Sequence, residues 1–206
     1  MTRHPRSIDS AVLARIRKRG PGYVFTAVDF LDLGSREAIR QVLSRSARRG
    51  EIRQLARGLY DVPVTDPGLG VLHPSAEAVA RALAGRDAVR LQLTGAAAAN
   101  ALGLSTQVPL RVVYLTDGAS RAVQVGRQRI ELRKTTPRQM ATAGRPGGMI
   151  IQALRWLGRQ HVDEKTIAIL RRNLSPGDRS GLLDDARFAP DWIGKILRRL
   201  ATPKAP

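Results

Sequence analysis

Basic and amide side chains recur at helical spacing between Ser35 and Gly50, two residues suited to begin and end a helix. At 100° per residue, one face of this helix is apolar and the other carries Glu37, Arg40, Gln41, Ser44, Arg45 and Arg48. Guanidinium and amide groups are the side chains that contact phosphates and base edges in DNA. The spacing therefore predicts a DNA-reading helix, although solvated basic faces of this kind also occur on helices that bind nothing.

The neighbouring segments favour the DNA-reading interpretation. Residues 8–19 have apolar side chains at helical spacing and end at Gly20-Pro21-Gly22, and a short segment then starts at Thr26 with an acid at Asp29. After Gly50, residues 52–55 and 59–62 alternate as two strands around a turn that carries Arg57. This order predicts a winged helix-turn-helix domain over residues 1–62.

Composition points to a polyanionic partner. The net charge is +18, and the excess of basic over acidic residues is 7, 6 and 5 in residues 1–62, 63–145 and 146–206. Counterion release favours binding of such a chain to any nucleic acid, although the arginine bias also fits a GC-rich genome. The chain has no cysteine, no apolar window of 18 residues and no hydrophobic signal segment, so we expect a soluble cytoplasmic protein with aliphatic cores.

The rest of the chain predicts an α+β second domain. Residues 63–74 are rich in proline and glycine and are expected to form a linker, which places the second domain at 75–206. Residues 111–116 predict a central strand, and residues 121–125 and 128–134 a hairpin around Gly126-Arg127. The C-terminal third predicts four helices, at 146–157, 163–173, 176–186 and 190–200.

No arrangement of residues predicts catalysis, a metal site or a cofactor. The histidines His4, His73 and His161 are widely separated and form no ligand pair. The glycine-rich segment at 144–148 could present N–H groups to a phosphate, but no Gly-Lys-Ser/Thr follows it. The order of Asp117 and Glu131 is weakly similar to that of the acids in metal-dependent nucleases. Pairing of Glu131 with the neighbouring arginines on a polar sheet face is a simpler explanation for its presence.

Three segments carry a resemblance to a known group. The run from Gly50 to Pro63, GEIRQLARGLYDVP, resembles the wing of the AbiE-type (AbiEi-like) antitoxins of bacterial type IV toxin-antitoxin systems. The stretches 93–96 with 100–104, and 112–118, are similar to the opening of that family's C-terminal domain. The resemblance implies a non-enzymatic antitoxin that represses its own operon through inverted repeats in the promoter and counteracts a nucleotidyltransferase-like toxin.

The resemblance also implies roles for individual residues. The expected DNA-binding set is Ser35, Arg36, Arg40, Gln41, Ser44, Arg45, Arg48, Arg53 and Arg57. Arg36, Arg40, Gln41 and Ser44 would face the major groove, and Arg45 and Arg48 would grip phosphates. Arg53 and Arg57 would lie on or near the wing, against phosphates or the minor groove. A palindromic site would imply two copies of the protein on the DNA. The sequence also leaves open two alternative functions, an RNA-binding module that recognises structured RNA and, less favoured, a metal-dependent nuclease.

Overall fold

The computed structural model describes residues 7–85 and 89–202, and it confirms the α+β class. Those residues divide into two compact units. The first contains residues 7–85 and Val123–Arg127, and the second contains Val89–Ala122 and residues 128–202. No helix within these ranges combines the length and the apolar character needed to cross a membrane.

The first unit alternates helices with short strands. Its elements are α1 (Ile8–Arg19), β1 (Val24–Thr26), a 3₁₀ helix (Ala27–Phe30), α2 (Arg36–Arg48), β2 (Arg53–Ala56), β3 (Leu59–Asp61), β4 (Val64–Asp66), β5 (Gly70–Leu72) and α3 (Ala76–Ala84). The sequence predicted α1, the short helix, α2 and the β2–β3 hairpin. Strand β1 was not predicted, because its three residues are too few to show an alternating pattern.

Caps fix the ends of these helices. Ser35 Oγ accepts a hydrogen bond from the Ala38 amide at 3.2 Å and begins α2, as predicted. The Asp29 carboxylate accepts from the Thr26 backbone amide at 2.8 Å and from the Thr26 hydroxyl at 3.2 Å, which is the predicted capping arrangement of the short helix. The starting points of both helices are therefore set by local side chains.

A three-stranded antiparallel sheet holds the hairpin beside the helices. Strand β3 is central in the order β1-β3-β2, with Phe25 opposite Tyr60 and Gln54 opposite Tyr60 on the other side. The core between sheet and helices includes the rings of Phe25, Phe30 and Tyr60, with the first two in edge-to-face contact at 5.6 Å. The expectation of purely aliphatic cores is therefore wrong for this unit.

The segment predicted as a linker forms a second hairpin. Strands β4 and β5 pair from Val64 opposite Leu72 to Asp66 opposite Gly70. The turn is closed by Asp66, whose Oδ1 accepts from the amides of Gly68 and Leu69 at 2.8 and 2.9 Å. Helix α3 follows and packs against β1. The expectation of a linker at residues 63–74 is therefore wrong, because turn-forming residues also serve inside a compact unit.

The second unit contains strands β6, β7 and β9 of a four-stranded mixed sheet, the start of its fourth strand β8, and a helical part. The elements from residue 89 onward are β6 (Leu91–Thr94), α4 (Gly95–Ala101), β7 (Arg111–Thr116), β8 (Arg121–Val125, counted in the first unit from Val123 onward), β9 (Gln128–Lys134), α5 (Pro137–Met140), α6 (Pro146–Leu157), a 3₁₀ helix (Arg159–His161), α7 (Glu164–Asn173), α8 (Pro176–Ser180), α9 (Leu182–Ala186) and α10 (Asp191–Ala201). The strand order is β6-β7-β9-β8, and β7 runs parallel to β9. This parallel pairing was not predicted from the sequence.

Helix α6 lies at the centre of the second unit. Ile150, Ile151 and Leu154 on one side of α6 are buried in an aliphatic cluster with residues of α7, α9 and α10. The predicted helix at 176–186 is divided at Gly181 into α8 and α9, which is a correction to the sequence expectation. Gly181 itself keeps right-handed helical dihedrals, with φ of −78° and ψ of −13°.

Candidate nucleic-acid interface

The predicted reading face of α2 is exposed. The side chains of Arg36, Arg40, Gln41 and Arg48 all lie on the surface, opposite the buried residues Ile39, Val42, Leu43 and Ser46. Arg36, Arg40 and Arg48 have no ion-pair partner among the described residues. Three guanidinium groups and one amide are therefore free to make contacts along one side of a 13-residue helix.

Three other predicted residues of this helix are less available. Ser35 is exposed, but its hydroxyl oxygen is already occupied as the helix cap. Ser44 is half-buried. Arg45 donates to both carboxylate oxygens of Asp9 on α1, at 2.9 and 3.0 Å. Binding of a phosphate by Arg45, as expected, would therefore compete with this ion pair. The pair is weak, because the side chains of Arg45 and Asp9 are 49% and 38% exposed.

The two hairpin arginines have different environments. Arg53 donates from Nε to Asp61 Oδ1 at 2.9 Å and from Nη2 to Asp61 Oδ2 at 2.6 Å. Its Nη2 also donates to the Leu72 carbonyl of β5 at 2.9 Å. The Asp61 side chain is only 2% exposed, and the paired carboxylate raises the pKa of Arg53. Arg53 is thus a structural residue, and the expectation that it contacts DNA is not supported by its position.

Arg57 is the hairpin arginine that remains free. It lies at the turn between β2 and β3, is exposed, and has no partner among residues 7–85 and 89–202. The turn depends on Gly58, whose φ of +75° is in the left-handed region that favours glycine. The structure therefore presents one unpaired guanidinium at the end of the hairpin.

Asp61 is a residue to which sequence reasoning gave no role. It directly opposes Arg53 in the antiparallel register of β2 and β3. Opposite charges on facing residues of a predicted hairpin are a recognisable signal, because such side chains lie within about 5.5 Å of each other. The hairpin register could therefore have identified Arg53 as half of an ion pair.

Acids near the reading face are few and mostly engaged. Glu51, which follows the end of α2, accepts from Arg49 at 3.1 and 3.2 Å, and this contact lowers the pKa of Glu51. Glu37 lies on α2 itself and is exposed. The free cations of α2 and of the β2–β3 turn therefore outnumber the free acids, which favours an anionic partner for this surface.

The acids considered for nuclease chemistry are separated and engaged. Glu131 pairs across β7 and β9 with Val113, whereas Asp117 lies four residues beyond Val113, or about 13 Å along the strand. Asp117 accepts from the side chain of Arg90 at 2.8 Å. This separation is too large for both carboxylates to bind one metal ion, since oxygen ligands lie about 2.0–2.6 Å from the metal.

Glu131 instead organises three arginines. Its carboxylate lies 2.8 Å from Arg111, 2.7 Å from Arg129 and 3.6 Å from Arg133. Hydrogen bonds from Arg111 and then Arg129 lower the pKa of Glu131 from an ordinary value of 4.5 to about 2. The predicted pairing of Glu131 with neighbouring arginines on the polar side of β9 is confirmed.

The described histidines form no metal site. His73 and His161 are exposed, and His161 Nδ1 is 2.9 Å from the Leu157 carbonyl. His4 lies outside the described residues. Within residues 7–85 and 89–202, no three histidine, cysteine or acidic side chains come together as metal ligands.

The glycine-rich segment before α6 serves close packing. A Cβ on Gly148 would lie 2.1 Å from the Thr142 carbonyl oxygen, and a Cβ on Gly147 would lie 2.3 Å from Asp185 Oδ2. The buried Asp185 carboxylate also has Arg145 Nη2 at 2.7 Å, but without hydrogen-bond alignment. Burial outweighs the attraction of Arg145 and raises the pKa of Asp185. Both glycines are thus explained by close packing against the Thr142 backbone and the Asp185 side chain.

Comparison with known proteins identifies a family. Residues 11–179 match a family of unknown function, DUF6088. No curated protein and no solved structure matches the chain. The family match extends over 169 of the 206 residues and includes α2, the β2–β3 hairpin, the mixed sheet and α6. The chain therefore belongs to the family of unknown function DUF6088.

Proposed function

We propose that the first unit is a winged helix-turn-helix domain that binds DNA sequence-specifically and represses its own operon. The observation that carries this proposal is the capped helix α2, whose exposed side holds Arg36, Arg40, Gln41 and Arg48 without a partner in the part of the chain that the structure describes. A helix of 13 residues is about 20 Å long, which suits insertion into the major groove. Inverted repeats in the promoter would bring two copies together on the DNA.

Each free side chain has a distinct task in this proposal. Arg40 and Gln41 lie in the middle of α2 and would read base edges, with Arg36 beside them at the helix start. Arg48, at the last turn of α2, would bind a phosphate. Arg57 would contact a phosphate or the minor groove from the turn of the β2–β3 hairpin.

The order of elements supports this assignment. A short helix precedes α2, and the strand before that helix pairs with β3, so the hairpin that follows α2 is tied to the same unit. The ion pair between Arg53 and Asp61 joins the two hairpin strands, and the contact of Arg53 with Leu72 joins the hairpin to β5. A hairpin fixed in this way is pre-organised for binding, which reduces the entropy lost on contact with DNA.

The resemblance of the wing segment to AbiEi-like antitoxins extends the proposal to a biological role. In this role the protein is cytoplasmic, has no enzymatic activity and needs no cofactor, and it counteracts a nucleotidyltransferase-like toxin. Co-expression with a nucleotidyltransferase from the same operon tests the role. The antitoxin proposal predicts that growth is restored by the complete chain, and a toxin that stays fully active in its presence would contradict the proposal.

Two substitutions on α2 test the DNA-binding proposal. Arg40→Ala should reduce preference for the operator over scrambled DNA about tenfold or more, because a bidentate base contact contributes about 1–3 kcal/mol of discrimination. Arg48→Ala should weaken binding to both DNAs equally and reduce the slope of affinity against salt by about one. Arg172→Ala removes another exposed charge, from α7, and serves as the control.

The outcomes separate base reading from general charge attraction. Fluorescence anisotropy titrations give the two affinities for each variant. Equal losses from Arg40→Ala, Arg48→Ala and Arg172→Ala would contradict the assignment of α2 to the groove. Structured RNA that displaces operator DNA at equal concentration would favour the RNA-binding alternative.

A further inference from the structure

A second surface of donors lies in the second unit, around a cleft of about 310 Å³. Three elements form its walls: α5 with the residue before it, α6, and the turn between α9 and α10. The lining residues are Thr136, Arg138, Gln139, Arg155, Phe188, Ala189 and Pro190. The volume is at the lower end of the range for small-molecule sites.

The polar groups of this cleft are all able to donate hydrogen bonds. Arg138 and Arg155 are exposed, and neither has a partner among the described residues. The Thr135 hydroxyl donates to Gln139 Oε1 at 2.6 Å, so the amide nitrogen of Gln139 is left to donate. No carboxylate is among the residues that line the cleft. A donor set of this kind, with a charge of +2, matches an anion with several acceptor oxygens.

The same cleft has an apolar side. Phe188, Ala189 and Pro190 are each partly exposed, and together they offer a ring and two small apolar surfaces. The guanidinium of Arg187 lies 4.9 Å from the centre of the Phe188 ring, which adds positive charge next to the cleft. A flat ring attached to the anion could therefore stack on this side.

The walls are held in place by packing beneath them. Met140 at the end of α5 is fully buried, and its carbonyl accepts from Arg90 at 3.1 Å. Leu154, which precedes Arg155 in α6, is also fully buried. The Phe188 amide donates to the Asp185 carbonyl at 3.0 Å. Because the backbone on all three sides is fixed, the cleft exists before a ligand arrives and little ordering is needed on binding.

From this arrangement we propose that the cleft binds a phosphate monoester that carries a flat ring, of the nucleoside monophosphate class. The phosphate lies between Arg138 and Arg155, with Gln139 as a further donor, and the ring lies against Phe188. This site is independent of the DNA-binding face proposed for the first unit. The same chemistry is present in a free nucleotide and in the 5′-phosphorylated end of a strand, and we assign the site to the free nucleotide.

Isothermal titration of the complete chain with adenosine monophosphate tests the proposal at about 0.15 M salt, where weak long-range attraction is screened. We expect one site per chain and a Kd of about 0.1–1 mM, which suits a small ligand in a shallow cleft. Arg155→Gln and Arg138→Gln should each weaken binding about tenfold, because each removes a charged hydrogen bond. Phe188→Leu should weaken the binding of adenosine monophosphate and leave the affinity for inorganic phosphate unchanged.

Matched controls make each outcome decisive. Arg172→Gln removes one positive charge, as Arg155→Gln and Arg138→Gln do, but at an exposed position on α7, and it should leave the Kd unchanged. Circular dichroism verifies that every variant is folded. Absence of binding, equal binding of adenosine, or equal weakening by Arg172→Gln would each overturn the proposal. Inorganic phosphate that binds as tightly as adenosine monophosphate would overturn the role of Phe188. A 5′-phosphorylated dinucleotide that binds more tightly, with the same sensitivity to Arg155→Gln, would overturn the assignment to the free nucleotide and identify a strand end as the occupant.

Discussion

The Arg53–Asp61 pair gives a prediction with a magnitude that follows from its geometry. Arg53→Ala removes two hydrogen bonds, of 2.9 and 2.6 Å, to a carboxylate that is 2% exposed. Breaking a buried ion pair from one side costs about 3–5 kcal/mol, because the remaining charge is left unpaired. The Arg53 side chain is itself 25% exposed, so water can approach the site and the lower end, about 3 kcal/mol, is expected.

Urea unfolding and thermal melting measure this cost. A loss of about 3 kcal/mol corresponds to a decrease in Tm of about 12–24 °C for a unit of this size. Arg57→Ala is the matched control, since Arg57 is exposed on the same hairpin and has no partner within residues 7–85 and 89–202, and its effect should stay within about 0.5 kcal/mol. Adding Asp61→Ala to Arg53→Ala should restore part of the stability, because it removes the orphaned carboxylate.

Substitutions of Arg53 and Arg57 should also differ in their effects on DNA affinity. Arg57→Ala should weaken DNA affinity without loss of stability, whereas folded Arg53→Ala protein, measured below its Tm, should keep most of its affinity. The reasoning is refuted if Arg53→Ala and Arg57→Ala have the same free energy of unfolding within about 0.5 kcal/mol.

Three further predictions concern the second unit and the charge of α2. Gly148→Ala should lower the free energy of unfolding in urea by about 3 kcal/mol, because its Cβ would lie 2.1 Å from the Thr142 carbonyl oxygen. The control Gly181→Ala, whose Cβ would have no atom within 4 Å, should be neutral or slightly stabilising. Equal effects of the two substitutions would contradict the packing argument. Glu131 has a pKa of about 2, below its ordinary 4.5, so its ion pairs stabilise the fold above pH 4.5 and that stability is lost as the pH falls towards 2. The difference in stability between the parent protein and Glu131→Gln should therefore narrow over that pH range, and a constant difference would argue against these ion pairs. Arg36→Ala should reduce operator affinity with no change in Tm, and a lower Tm would indicate an unrecognised structural contact.

Local signals in the sequence predicted much of the first unit. Ser35 and Gly50 mark the two ends of α2, and Asp29 marks the short helix, because caps act through side chains within three or four residues. The hairpin was equally visible, since strand alternation and Gly58 are local features. The exposed positions of Arg36 and Arg40 follow from helical periodicity alone.

Features that depend on distant contacts were not predictable in this way. The pairing of Arg45 with Asp9 joins residues 36 positions apart, and no periodic pattern relates them. The parallel pairing of β7 with β9 depends on how the chain returns past β8, which strand patterns do not specify. The cleft proposed to bind a nucleotide brings Arg138, Arg155 and Phe188 together from three separate segments, so only the folded chain reveals it.

Binding of the protein to its own upstream DNA tests the central proposal most directly. The protein is titrated against labelled upstream DNA and against scrambled DNA of equal length, at about 0.05 and 0.2 M salt. The proposal predicts that the upstream DNA is bound at least about a thousandfold more tightly than scrambled DNA, and that this preference persists at the higher salt. Equal affinity for both DNAs, with loss of binding at the higher salt, would contradict sequence-specific recognition by α2.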